Sequence, residues 1–227
     1  MQNRGLSLFR RGNNEAAREF FQRAIDLKKE VLGEQNPDLA GSISGLGNAL
    51  KELGRFEEAL MAQDRAIAIL SPGSDLLFTA LNNRGEALIG LRRYAQAETS
   101  LQEALSGFSA AEGTSSRASA FPLTALGLLK LATADPSDAA SYFERALQIR
   151  QVRESDATLV AETRFGLARA LWESGGDRVR ALSLARSAHD AYAKNNRPRQ
   201  LSAVDSWLMV HGASGSQSAG RRSRDLQ

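Results

Sequence analysis

The chain has 227 residues, 29 Lys and Arg against 26 Asp and Glu, and a net charge of +3, a length that suits one medium domain or one elongated array. Thirty-six Ala and 31 Leu against 6 Val and 6 Ile favour helix over sheet. With no cysteine and only His189 and His211, disulfide scaffolds, thiolate metal sites and cysteine nucleophiles are excluded, and a serine triad has little to work with.

In chain order, the predicted elements come as helical pairs. Gly5 lies in a first helix that Arg11-Gly12-Asn13 turns into a second, carrying Ala17, Phe21 and Ala24. Met1 falls inside that expected first helix, so the chain reads as a fragment or as an array that has lost an upstream unit. Asn36-Pro37-Asp38 starts the next pair, with Gly47, the turn Leu53-Gly54-Arg55, then Ala59, Gln63 and Ala66. Gln63 stands where a large apolar residue is expected, which predicts looser packing there. The third pair has Gly85, Leu91-Arg92-Arg93, Ala97, Leu101 and Ala104. In the fourth, Pro122 either starts or kinks the helix of Gly127. Asp135-Pro136 then supplies an N-cap and a first-turn proline before Ala139, Phe143 and Ala146. The fifth has Ala168, the Gly175–Gly176 turn, Ala181, Ala185 and Ala188. A closing helix is expected over 196–212, with Leu201, Val204, Trp207, Leu208 and Val210 as its apolar stripe. The Gly-, Ser- and Arg-rich stretch 213–227 reads as a disordered tail.

The leading alanines Ala17, Ala59, Ala97, Ala139 and Ala181 fall 42, 38, 42 and 42 residues apart. A glycine stands twelve residues before each of the first four, and Ala168 thirteen before the fifth. Spacings of three, four and seven put both alanines and the residue between them on one helix face. A small residue in each helix lets the backbones cross closely. One hairpin cannot bury its apolar face alone, so such units must stack.

Small–x₃–large–x₂–Ala after a glycine-bearing helix resembles the tetratricopeptide repeat over residues 1–195. The longer period, with Leu32-Gly33-Glu34-Gln35-Asn36-Pro37 between units and Leu81-Asn82-Asn83-Arg84-Gly85 in a first helix, resembles the kinesin-light-chain type. The stretch Leu167-Ala168-Arg169-Ala170-Leu171-Trp172-Glu173 is similar to the last repeat of arrays attached to bacterial serine/threonine kinases. The resemblance implies an all-α, right-handed superhelical solenoid of about five repeats plus a capping helix. It implies a peptide or protein segment bound along the concave face of the first helices. Carried onto this chain, the family's groove positions include Gln2, Asn3, Leu6, Phe9, Ser44, Gly45, Asn48 and Lys51. They continue with Asn82, Asn83, Glu86, Ile89, Thr124, Ala125, Leu128 and Leu131, then Phe165, Gly166, Arg169 and Trp172. The binding set expected from these is Asn48, Lys51, Asn82, Asn83, Glu86, Leu128, Leu131 and Arg169. Its polar end suits the backbone of an extended peptide, and its apolar end a hydrophobic side chain. The same asparagines could instead bond neighbouring helices, and the leucines could meet the chain's own tail.

Other chemistry finds little support. Gly41-x-x-x-Gly45-x-Gly47 follows no strand and lacks the lysine–serine ending of a phosphate loop. His189 has no ligand partner at metal spacing, His211 reads as the cationic end of a helix, and Glu57-Glu58 opens a second helix where the dipole favours acids. Trp172 and Trp207 are expected to seal the core or its cap. Arg221-Arg222-Ser223-Arg224 reads as a solvated tail, not a nucleic-acid contact. No apolar run nears the roughly 18 residues of a membrane span, and polar residues return at Arg10, unlike a signal peptide. The expectation is a cytoplasmic, non-enzymatic interaction module without cofactor, nucleic acid or membrane. The alternative is a regulatory arm of a larger, bacterial kinase-type signalling protein, self-associating through the first hairpin.

Overall fold

The ten repeat alanines of the five second helices are all buried, from 0% exposed at Ala17, Ala66, Ala97, Ala104, Ala139, Ala146, Ala181 and Ala188 to 4% at Ala24. The computed structural model describes residues 1–114 and 116–222, with side chains for all of these except 112 and 213–222. Among the described residues there are eleven α-helices and no strand. The chain forms two compact units, Met1–Ser116 and Arg117–Gln227.

The first unit holds three hairpins. They are α1 (Gln2–Arg10) with α2 (Asn14–Leu32), α3 (Ala40–Glu52) with α4 (Phe56–Ala68), and α5 (Asp75–Gly90) with α6 (Tyr94–Glu112). A 3₁₀ turn, Pro37–Leu39, leads into α3, and the Asn36 side chain accepts from the Asp38 N–H at its start. Each helix packs on the next, and the first helices α1, α3 and α5 also meet in sequence. One core cluster gathers Ile25, Leu39, Ile43, Ala62, Ala66, Ile69 and Ala80, and another gathers Ala17, Phe21 and Ala49.

The second unit holds α7 (Ala120–Ala132) with α8 (Pro136–Arg153), α9 (Ala157–Glu173) with α10 (Arg178–Lys194), and α11 (Pro198–Arg222). Pro122 sits in the first turn of α7, where its missing N–H costs nothing, so it starts the helix without kinking it. Asp135 caps α8 as expected, accepting from the Asp138 N–H. Phe143, Leu147, Leu167 and Ala170 form one cluster with Leu131. Val204 of α11 completes another with Ala168, Ala185, Ala188 and Tyr192. The last helix is longer than the stretch 196–212 expected for it. No proline interrupts its continuation through 213–222, which composition alone gives as tail. Residues 223–227 of that expected tail lie outside the described residues.

One closure ends the first helix of every hairpin. The residue three beyond the helix donates its N–H to a carbonyl five residues back: Asn13 to Leu8, Arg55 to Leu50, Arg93 to Leu88, Asp135 to Lys130 and Gly176 to Leu171. The residue before it must take a left-handed backbone. Gly12, Gly54 and Gly175 do so freely, whereas Arg92 (φ 58°) and Ala134 (φ 59°) do so with a side chain.

The glycines of the first helices have a different reason. Phe21 of α2 lies against Gly5 of its own hairpin and Gly45 of the next, and Phe143 of α8 lies against Gly127 and Gly166 in the same way. A methyl group at any of the four would press on or overlap the ring. The expected close approach is therefore a phenyl ring held between two glycine backbones.

Candidate functional site

In the first unit, α3 and α5 run side by side and bring five of the sequence-predicted residues together. Asn48 and Lys51 come from α3; Asn82, Asn83 and Glu86 come from α5. Helical spacing aligns Ser44, Asn48 and Lys51 on one face, and Asn82 and Glu86 on the other. The Lys51 ammonium bonds Oε2 of Glu86 and lies 3.7 Å from Glu52, with Lys51 21% and Glu86 26% exposed in their side chains. Asn82 Nδ2 donates to Glu86 Oε1 at 2.9 Å and reaches Asn83 Oδ1 at 3.5 Å. Asn83 Nδ2 donates to Ser44 Oγ at 3.2 Å.

Gln63 corrects the expectation of loose packing. It is 1% exposed and fully engaged from α4. Its Oε1 accepts from Ser44 Oγ at 2.9 Å, and its Nε2 donates to the Ser44 carbonyl at 3.1 Å and reaches Asn48 Oδ1 at 3.5 Å. Gly47 makes room for it, since a Cβ there would overlap the amide nitrogen. Asn82 and Asn83 are only 4% and 8% exposed, so both asparagines do bond a neighbouring helix or side chain. One atom is left over: Asn82 Oδ1 is buried and meets no donor among the described residues. A buried polar atom without a partner costs about 1–3 kcal/mol.

In the second unit the predicted residues separate. Leu131 is 8% exposed and belongs to the core around Phe143, with Leu128 packed against it. Arg169 is partly exposed, its Nε 3.8 Å from Glu173 Oε1. Phe165 and Trp172 of α9 are covered by α11. Trp207 meets Phe165 edge-on at 6.0 Å and Trp172 at 5.6 Å, and His211 stacks on Trp207 at 4.5 Å. The two tryptophans thus fasten the last helix to α9. His211 does not end that helix as expected; its Nδ1 lies 3.0 Å from the Trp207 carbonyl within it. His189 sits between Asp190, 3.1 Å from Nδ1, and Asp205 of α11, 3.2 Å from Nε2.

Sequence reasoning singled out Gln63 but read it as loosely packed, and it passed over a second buried polar anchor, Arg150. Arg150 is 1% exposed and ties α8 to α9 through the Leu159 carbonyl, Thr163 Oγ1 at 2.8 Å and Glu162 at 3.4 Å, with its guanidinium 5.4 Å from the Phe121 ring. The sequence signal for Gln63 is a long polar residue where the other repeats carry Phe21, Leu101, Phe143 and Ala185, whereas Arg150 shares its position with Lys28, Leu70, Phe108 and Tyr192 and stands out less. Among the described residues no group of three or more His, Cys, Asp or Glu could hold a metal ion. No helix among them is long and apolar enough to cross a membrane.

The tetratricopeptide repeat family model matches residues 1–71 and 76–151. Human tetratricopeptide repeat protein 19, mitochondrial, is 31% identical over 90 residues, which are 39% of this chain and 24% of that protein. The aligned part is thus about a quarter of the curated relative's length. Among solved structures, BtubC (BKLC) from P. vanneervenii is 26% identical with a TM-score of 0.65, covering 85% of this chain and 78% of that one. A Rap protein complexed with Competence and Sporulation Factor is 16% identical with a TM-score of 0.79, over 93% of this chain and 58% of that one. The last is a likeness in fold.

Proposed function

The chain belongs to the tetratricopeptide repeat family, and from that premise we propose that it is a protein–protein interaction module whose α3–α5 face binds an extended peptide segment. The observation that carries this reading is the buried, unfilled acceptor Asn82 Oδ1 beside the Lys51–Glu86 pair. An extended peptide supplies the missing donor as a backbone N–H, and its carbonyls suit Lys51 and the amide of Asn48. The ion pair beside it is about three-quarters buried, so a charged ligand group there would compete for one of its two partners. Binding by a Rap protein of the same fold to Competence and Sporulation Factor is consistent with a ligand seated on such helices.

The test is affinity capture from source-cell lysate with wild type beside a Lys51→Ala, Asn82→Ala double variant, both matched in melting temperature. A partner retained by wild type and lost by at least about tenfold from the variant is the expected result. Equal capture of the same partners by both proteins removes the α3–α5 face from the binding surface.

A further inference from the structure

The chain has two tryptophans, Trp172 and Trp207, and both stand on one surface of the second unit. Val210 lies one 42-residue period after Ala168, so α11 keeps the register of a first helix. Trp207 and His211 then take the places that Phe165 and Arg169 hold on α9. The rings of Phe165, Trp172, Trp207 and His211 form one half-buried shelf, edge to face or stacked, at centroid distances from 4.5 to 6.0 Å.

Fastening α11 accounts for the inner side of the shelf only. Neither indole N–H meets an acceptor among the described residues, and neither is shut off from the surface. Arg178, exposed in the first turn of α10, holds its guanidinium 4.9 Å from the centroid of the Trp172 ring. The nearby carboxylates are engaged elsewhere: Asp177 accepts from the Arg180 N–H at 2.9 Å, and Glu173 lies 3.8 Å from Arg169. Arg178 itself has no carboxylate partner among the described residues. The shelf thus offers apolar ring surface, two N–H donors and a guanidinium without a counter-charge.

Those three properties describe their complement. A helical ligand has its carbonyls taken by its own N–H groups and brings nothing to an indole donor. A polyproline II segment makes no internal hydrogen bonds, so its carbonyls are bare, its rings pack flat on aromatic faces, and its order is in place before binding. The guanidinium adds a demand for negative charge. We propose that the shelf is a second binding site, which takes an acidic, proline-rich segment of a partner protein. Proline rings lie on the Trp172 and Trp207 rings, carbonyls of the segment accept from the indole N–H groups, and a carboxylate pairs with Arg178. The site stands apart from the α3–α5 face, which carries no tryptophan.

Because both tryptophans belong to the shelf, the intrinsic tryptophan emission of the full chain reports on this site and not on the α3–α5 face. The probes are three twelve-residue peptides. One is proline with glutamate at every third position, one has lysine in place of the glutamate, and one has alanine in place of the proline. The glutamate–proline peptide is expected to shift the emission saturably, and the other two to bind at least about tenfold more weakly. Arg178→Gln changes an exposed side chain, and is expected to weaken the glutamate–proline peptide about fivefold at an unchanged melting temperature. Trp172→Phe keeps a ring but removes one N–H, and the emission of Trp207 is expected to report about fivefold weaker binding. No emission change, equal binding of the lysine or alanine peptide, or undiminished affinity in either variant overturns the proposal. So does an emission shift on dilution of the protein alone, which would put a second copy on the shelf.

Discussion

Ala134 and Arg92 carry a cost that the sequence hides. Both take the left-handed backbone at the position where the first and second hairpins have Gly12 and Gly54. A side chain in that conformation costs about 1–2 kcal/mol relative to glycine's free choice, partly offset by glycine's looser unfolded chain. Ala134→Gly is therefore expected to stabilise the protein by about 0.5–1 kcal/mol, read as a higher urea midpoint with an unchanged slope. The turn at Leu91-Arg92-Arg93 was legible without a glycine because its neighbours in the repeat frame are turns. The bond pattern of Gln63 was not legible. A glutamine at that position reads only as a departure from the apolar rule, and its partners come from another helix, which spacing within one helix cannot reveal.

At the scale of elements, the connection from α8 to α9 concentrates carboxylates held below their ordinary range. Burial pushes the Glu154 carboxyl up, but the Arg117 guanidinium at 2.9 Å and the N–H groups of Asp156 and Ser155 outweigh it and bring it down. Asp156, the N-cap of α9, follows the same balance: burial raises it, and the hydroxyl and N–H of Thr158 with the N–H of Leu159 lower it further. A folded-state pKa below the unfolded one contributes stability that is present above about pH 4 and is lost as pH falls through the folded value. The second unit is expected to melt progressively lower from about pH 4 downward, and Glu154→Gln to flatten that slope, as measured by thermal unfolding against pH. Helix pairs were the most legible level of the chain, because alanine at fixed spacing is needed wherever two helices cross closely. The extent of α11 was less so: Gly and Ser lower helix propensity without forbidding a helix, and only proline would have marked a stop.

For the whole molecule, stacked hairpins make stability a sum over neighbours, so damage has an address. Ala104 is fully buried in the first unit. Ala104→Arg is expected to cost roughly 3 kcal/mol or more. Hydrogen exchange should then accelerate across residues 1–116 well before residues 117–212. Uniform acceleration along the chain would mean that the two units unfold as one. The phenyl rings of Phe21 and Phe143 set a second kind of address, because each is seated by a glycine of its own hairpin and a glycine of the hairpin after it. A ring and its far glycine have to be inherited together: a duplicated or transplanted hairpin that brings Phe21 next to an alanine at position 45 would collide at the junction. The portable piece of this array is therefore offset by half a period, from a second helix through the following first helix, and gene-level shuffling of such repeats would leave its scars inside hairpins and not between them.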